Sequence, residues 1–208
     1  MNKIQVDVEE FVVRDVEAVL DILTSKVCFY VYGHNVVKLN ILHEVCLDIF
    51  LYDDSSLEIK TMQQGKKGDY KINIKQYNRT NFVYKEGIDS EFASQLVIEN
   101  VILGNDNKSE IVVRSVQKKV KIGLYIAAHV NKGTKNNEIV EDVKGINHGG
   151  KILIEPNMMI NSSEVMANHF VTIGTIPSSD LFYLESKGLS QARAEQLILE
   201  GFLKEIWK

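Results

Sequence analysis

Five histidines and two cysteines are the side chains here that could hold a metal or carry a proton, among them His169. His169 lies in Glu164-Val165-Met166-Ala167-Asn168-His169-Phe170-Val171, and a neutral imidazole there can bind iron and exchange a proton near physiological pH. The plain alternative is a histidine hydrogen-bonded at a strand end. The other histidines, His34, His43, His129 and His148, share no spacing with one another or with acidic residues that suggests a site, although His148 falls in the turn Asn147-His148-Gly149-Gly150. Cys28 and Cys46 lie eighteen positions apart, with no CxxC and no Cys/His cluster at ligand spacing, so both read as buried packing residues. A self-contained cysteine-ligated cluster is therefore not expected, since such clusters commonly need several thiolates. Gly149-Gly150 belongs to no GxxxxGK[ST] or GxGxxG loop, and the chain is not expected to hydrolyse ATP. The acidic pairs Glu9-Glu10, Asp53-Asp54 and Glu141-Asp142 read as solvated surface in turns or at chain ends.

These residues are set in a chain of 208 with 45% hydrophobic and 25% charged residues and a formal net charge of −4. That balance carries no basic footprint for nucleic acid. The start lacks the apolar core of a secretion signal and no long apolar run follows, so a cytoplasmic protein without a membrane span is expected. From about residue 27 to 175 the apolar residues alternate. Tyr70, Ile72 and Ile74 interleave with Lys71, Asn73 and Lys75; Val120, Ile122, Leu124 and Ile126 do the same with their neighbours. Cys28–Gly33, Val36–Tyr52, Leu57–Met62, Asn81–Lys85, Gln95–Leu103, Glu110–Val116 and Lys151–Glu155 also read as strands. A helix is predicted over Val16–Leu23. Polar turns fall at 53–56, 64–69, 104–108 and 131–137. Many short strands mean a sandwich, a barrel or a solenoid, and with no crisp repeat the periodicity leaves all three open.

After Pro177 the spacing becomes helical. Ser178 and Ser179 are candidate N-caps, Gly188 a stop, and Ser190 the cap of a second helix bearing Ala194, Leu197, Ile198, Gly201, Phe202 and Ile206 at intervals of three and four. Short helices are marginal alone, so this apolar surface docks on the β-body or on a partner. The partner-binding candidates are Leu181, Phe182, Tyr183, Leu197, Ile198, Phe202 and Ile206.

The stretch from Gly150 to Lys208 resembles the C-terminal part of SufB/SufD proteins. It reads Gly150-Lys151-Ile152-Leu153-Ile154-Glu155-Pro156, then Glu164 to Gly174 around His169, then Leu181-Phe182-Tyr183-Leu184-Glu185-Ser186-Lys187-Gly188-Leu189-Ser190, then Glu200-Gly201-Phe202. The family pattern is similar to P-x-L-x-I, V-x-C-S-H-G-A-T-I-G, L-F-Y-L-x-S-R-G-L-S and G-F in that order. Here Ala167 replaces a cysteine, Phe170 and Val171 a Gly-Ala pair, and Lys187 an arginine. The resemblance implies an all-β fold, a right-handed parallel β-helix core over 1–176 with a short N-terminal lead-in, followed by a helical segment over 177–208. With no cysteine after Cys46 but His169 kept, the chain resembles SufD more than SufB. The implied role is a non-catalytic scaffold subunit in iron–sulfur cluster assembly. His169 would be a metal ligand at a subunit interface where a cluster forms transiently. The implied partners are a SufC-type ABC ATPase on the C-terminal helices, and a SufB-like subunit or a second copy on the β-helix edge. Two other classes compete: a β-helix protein that self-associates and has lost the cluster role, and a β-helix polysaccharide enzyme, which usually needs clustered acidic residues.

Overall fold

The computed structural model describes residues 1–41, 43–64 and 69–207. Fifteen strands precede two helices among them. The odd-numbered strands are β1 (Asn2–Val6), β3 (Glu17–Ile22), β5 (His34–Ile41), β7 (Ser56–Gln64), β9 (Asn81–Ser90), β11 (Lys108–Gln117), β13 (Lys135–Asn147) and β15 (Glu164–Gly174). The even-numbered ones are β2 (Glu10–Arg14), β4 (Lys26–Tyr32), β6 (Val45–Leu51), β8 (Tyr70–Gln76), β10 (Ser94–Ile102), β12 (Lys121–Val130) and β14 (Lys151–Ile160). Odd strands form one sheet in sequence order and even strands a second, and every pairing is parallel. The chain therefore crosses from sheet to sheet at each turn and winds into a parallel β-solenoid, the β-helix that the resemblance implies.

The coils lengthen along the chain. Asn2 pairs with Ala18, sixteen residues on, whereas Lys108 pairs with Glu138, thirty residues on. A repeat whose length drifts in this way leaves no fixed period in the sequence, which is why none was visible. Val16–Leu23 is not a helix but contains β3. Its Ala18, Leu20 and Ile22 are buried in alternation, and pairing on both sides with β1 and β5 overrides the helical spacing that Val19, Leu20, Ile22 and Leu23 also satisfy. Val36–Tyr52 is two strands, β5 and β6; Leu42 and most of the turn predicted at 64–69 lie outside the described residues.

One corner of the solenoid is built alike on successive coils. Asp15, Asp54, Arg79, Asp106 and Asn136 all adopt positive φ there. The side chains of Asp53, Asn78 and Asn105 each accept the backbone N–H of the coil above, from Asn78 (3.0 Å), Asn105 (3.1 Å) and Lys135 (2.8 Å). Asp and Asn side chains at turns commonly accept such backbone N–H groups, which the sheet ladder leaves unpaired. Beside this corner Tyr32, Tyr52 and Tyr77 stack face to face, with centroids 4.8 and 5.3 Å apart, and Arg14 lies 4.8 Å over the Tyr32 ring. Between the sheets, inward residues such as Leu20, Phe29, Leu47, Ile72, Phe82 and Leu124 fill the lumen.

The chain then leaves the solenoid for α1 (Ser178–Ser186) and α2 (Gln191–Lys204), which continues into a short 3₁₀ turn, Glu205–Trp207. Pro177, rather than Ser178 or Ser179, occupies the N-cap of α1 and makes no side-chain bond there. Gly188, at φ +91°, lets the chain reverse after α1, and the Ser190 hydroxyl accepts the Arg193 N–H at the start of α2. Leu199 and Leu203 of α2 pack on Val116 and Ile146, with Met62, Ile176 and Phe202 around them. Gly87 admits the 3₁₀ turn at this seam, because a Cβ there would stand 2.6 Å from Met62 Sδ and 3.2 Å from Ile206 Cδ1.

Candidate functional site at the open end of the solenoid

The last coil consists of β14 and β15, and each pairs on one side only, with β12 and β13 respectively. Among the described residues no coil lies beyond its lumen positions. Val165 and Ala167 of β15 pack on the core patch of Ile102, Ala128, Val130 and Ile139, which fixes the inward face; by alternation His169, Val171 and Ile173 share it. His169 is nonetheless exposed, and Ile173 is 48% exposed. The end of the solenoid is thus an open plate carrying an imidazole among apolar side chains, rimmed by two unpaired strand edges.

Phe170 stands on the opposite face of β15 from His169. It is 56% exposed, aligned with Asp142 across the ladder, and leaves the imidazole uncrowded. Glu141 is the neighbour that matters. It pairs in register with His169 from β13 and lies on the inward face between Ile139 and Val143. Reading Glu141-Asp142 as a solvated pair in a turn is therefore wrong. Glu141 has no exposed surface and neither carboxyl oxygen has a hydrogen-bond partner; burial alone pushes its pKa up to about 8. Asp142 points outward and accepts a 2.5 Å bond from Arg114.

A second buried carboxyl, Glu86 on β9, is provided for. Tyr84 donates its hydroxyl to it at 2.7 Å and Gln63 its amide, and burial raises its pKa to about 7 against the lowering effect of those two donors. Sequence reasoning passed over Glu86 and took Glu141 for a solvated acid. The signal lay in the alternation of Phe82, Tyr84, Glu86 and Ile88, and of Ile139, Glu141 and Val143.

Cys28 and Cys46 are half-buried and point outward from β4 and β6, between inward residues, so they do not sit in the core as predicted. Cys28 Sγ lies 3.9 Å from Asp48 Oδ2, and Asn73 Nδ2 lies 3.9 Å from Cys46 Sγ. Burial, then the Asp48 charge, raises both thiols above their ordinary pKa, which disfavours the thiolate. His34 Nδ1 is 2.9 Å from Ser56 Oγ, His43 meets the Thr24 carbonyl at 2.9 Å, and His148 approaches Glu195 of α2 at 3.7 Å. Among the described residues no group of three or more His, Cys, Asp or Glu converges as a closed metal site. Glu141 and His169 stand in register on neighbouring strands, one carrying a carboxyl and the other an imidazole.

The residues predicted to meet a partner divide. α1 buries none of its residues, and Phe182 and Tyr183 are 73% and 60% exposed; Leu197 is exposed, Leu181, Ile198 and Phe202 half-buried. Ile206 leaves the set, since it is wholly buried against β9. The buried face of α2 runs through Ala194, Leu199 and Leu203, one step round from the predicted stripe.

Residues 110–202 match the family model described as SUF system FeS cluster assembly, SufBD core domain. Over this stretch the chain is similar to the SufB/SufD family. An iron-sulfur cluster assembly SufBD family protein of Archaeoglobus fulgidus is 28% identical over 106 residues, which is 50% of this chain and 28% of that protein. The iron-sulfur cluster assembly protein SufD of Escherichia coli is 35% identical over 52 residues, 25% of this chain and 12% of SufD. A SufBD family protein of Staphylococcus aureus is 20% identical over 206 residues, covering 80% of this chain and 43% of that one. The chain spans less than half the length of each of these SufBD relatives. Among the described residues no helix is long and apolar enough to cross a membrane.

Proposed function

We propose that this chain is a SufD-like scaffold subunit of iron–sulfur cluster assembly. It makes no covalent change itself. It contributes one wall of a subunit interface on which a transient cluster forms, with His169 as its ligand. The observation that carries this reading is the terminal coil: an exposed imidazole, aligned with a buried carboxyl, on a solenoid end with two unpaired strand edges. Unpaired edges recruit strands, and apolar lumen side chains left facing water gain from being covered. A SufB-like subunit, or a second copy of this chain, is the partner placed there, in an interface of about 1,200–2,000 Å². Covering the plate would take His169 out of water and let thiolates from the partner complete the iron coordination.

The SufC-type ATPase is assigned to the C-terminal helices. α1 presents Leu181, Phe182 and Tyr183, and α2 adds Leu197, Ile198 and the open side of Phe202, while the inner face of α2 is occupied by the β-body. A buried aromatic anchor such as Phe182 typically carries about 2 kcal/mol or more of binding energy. This role belongs in the cytoplasm and involves neither nucleic acid nor a membrane.

Co-expression with the ATPase and the SufB-like subunit of the same cell tests the reading. The three proteins should co-elute. Anaerobic reconstitution should load a cluster on the complex but none on this chain alone, and His169→Ala should lose the cluster while the complex stays intact. Failure to bind either protein, or unchanged loading in His169→Ala, overturns it.

A further inference from the structure

We infer that Glu141 is a second protein donor to the metal at His169, its carboxylate and the imidazole forming a two-point half-site for iron. The inference rests on the interface reading above and extends it to a residue in the preceding coil.

A buried carboxyl without a hydrogen bond is costly, and such groups in a folded protein call for an explanation. Glu86 shows what this fold does when a lumen glutamate is structural, since Tyr84 and Gln63 both donate to it. Glu141 receives nothing: its register neighbour on β11 is Ile111, and Ile139 and Val143 flank it on the same face. Leu or Gln would fill that position at lower cost. What distinguishes it is the column it occupies, since the next residue toward the open end is His169.

Adjacent strands stand about 4.8 Å apart, so side chains in one column lie side by side. Donor bonds to an ion of this class are about 2 Å long, and a glutamate and a histidine in neighbouring rungs can both reach one ion. Glu141 is flanked by Ile111, Ile139 and Val143 while His169 is exposed, so further ligands would come from beyond the open end. That matches the lack of a third donor among the described residues. The arrangement is half of a site, with its vacant positions directed at the surface where a partner would sit.

Cobalt(II) is a suitable probe, because its visible spectrum reports ligand type without any assembly activity. It should be titrated anaerobically into the chain alone and into its complex with the SufB-like subunit, for wild type, His169→Ala, Glu141→Gln and Glu141→Leu. Losing even an outer-shell partner costs roughly 10–100-fold in metal affinity, so Glu141→Gln should weaken cobalt binding by about tenfold or more and shift the spectrum, with the circular dichroism unchanged. Glu141→Leu serves the same purpose should Gln perturb folding. Binding within about twofold of wild type in both Glu141 variants, alongside loss in His169→Ala, sinks this inference and leaves the interface reading standing. Cobalt binding indifferent to His169→Ala sinks both, as does no binding by wild type alone or in the complex.

Discussion

The covered middle of the odd-strand sheet and its open last strand are made from similar residues and meet opposite fates. β11 is buried on both faces from Ile111 to Gln117, because the lumen lies on one side and α2 with its 3₁₀ turn on the other. Arg114, only 5% exposed, is held there by Asp142, by Glu205 at 3.1 Å and by the Asp142 and Val113 carbonyls. Among the described residues no further coil and no helix covers β15, two strands along the same sheet, and His169, Phe170, Val171 and Ile173 are all exposed. The two lumen glutamates repeat the contrast, Glu86 supplied with donors in the closed interior and Glu141 left without them beside the open end. In this fold apolar and ionisable residues are stabilised by what the adjacent coil brings. Where the coils stop, the same residue types face water.

The largest effect should come from the closed interior. Glu86 titrates near pH 4.5 when exposed in the unfolded chain and at about 7 when folded. The folded state therefore holds the proton more tightly, and the stabilisation is complete below about pH 4.5 and lost as pH rises through about 7. The difference is on the order of 3 kcal/mol. Tyr84 and Tyr70, the titratable groups facing Glu86, are both raised, Tyr70 to about 12, and stay protonated throughout. Glu86→Gln should be more stable than wild type at pH 8 and not at pH 4.5, as read by denaturant melts; parallel curves would remove Glu86 from the closed region.

Next comes the helix seam. Leu203→Ala should cost about 2–3 kcal/mol through a cavity over Val116 and Ile146, whereas Ile173→Ala on the open plate should stay within about 0.5 kcal/mol. Equal losses would erase the contrast between covered and open strands. Arg114→Leu should cost about 1–2 kcal/mol, less than a fully buried pair because Asp142 and Glu205 keep contact with water. It should also speed proteolysis near Ile176, since Arg114 ties the 3₁₀ turn to β13. The smallest change in stability belongs to Ile173→Asp, again within about 0.5 kcal/mol. That variant should weaken pairing with the SufB-like subunit or a second copy by at least about tenfold in light scattering or sedimentation, and unchanged pairing would close the open end as an interface.

Several features could be read from the residues alone. Alternation along Tyr70–Lys75 and Lys121–Ile126, polar corners between strands, and the shift to three-and-four spacing after Pro177 are local patterns, set by side-chain direction in strands and helices. They suffice to mark a β-domain followed by a helical tail. The order of motifs around His169, Leu181 and Gly201 carried the family. Local pattern could not show that Val16–Leu23 is a strand, because its spacing suits both structures and only pairing with β1 and β5 decides between them. It could not reveal coils that lengthen from sixteen to thirty residues, nor the outward placing of Cys28 and Cys46. Above all, it could not separate Glu141 from a solvated acid. Burial is a property of what stands on either side of a strand, and for Glu141 those neighbours are Ile111, thirty residues back along the chain, and His169, twenty-eight residues on, on the rung that ends the solenoid.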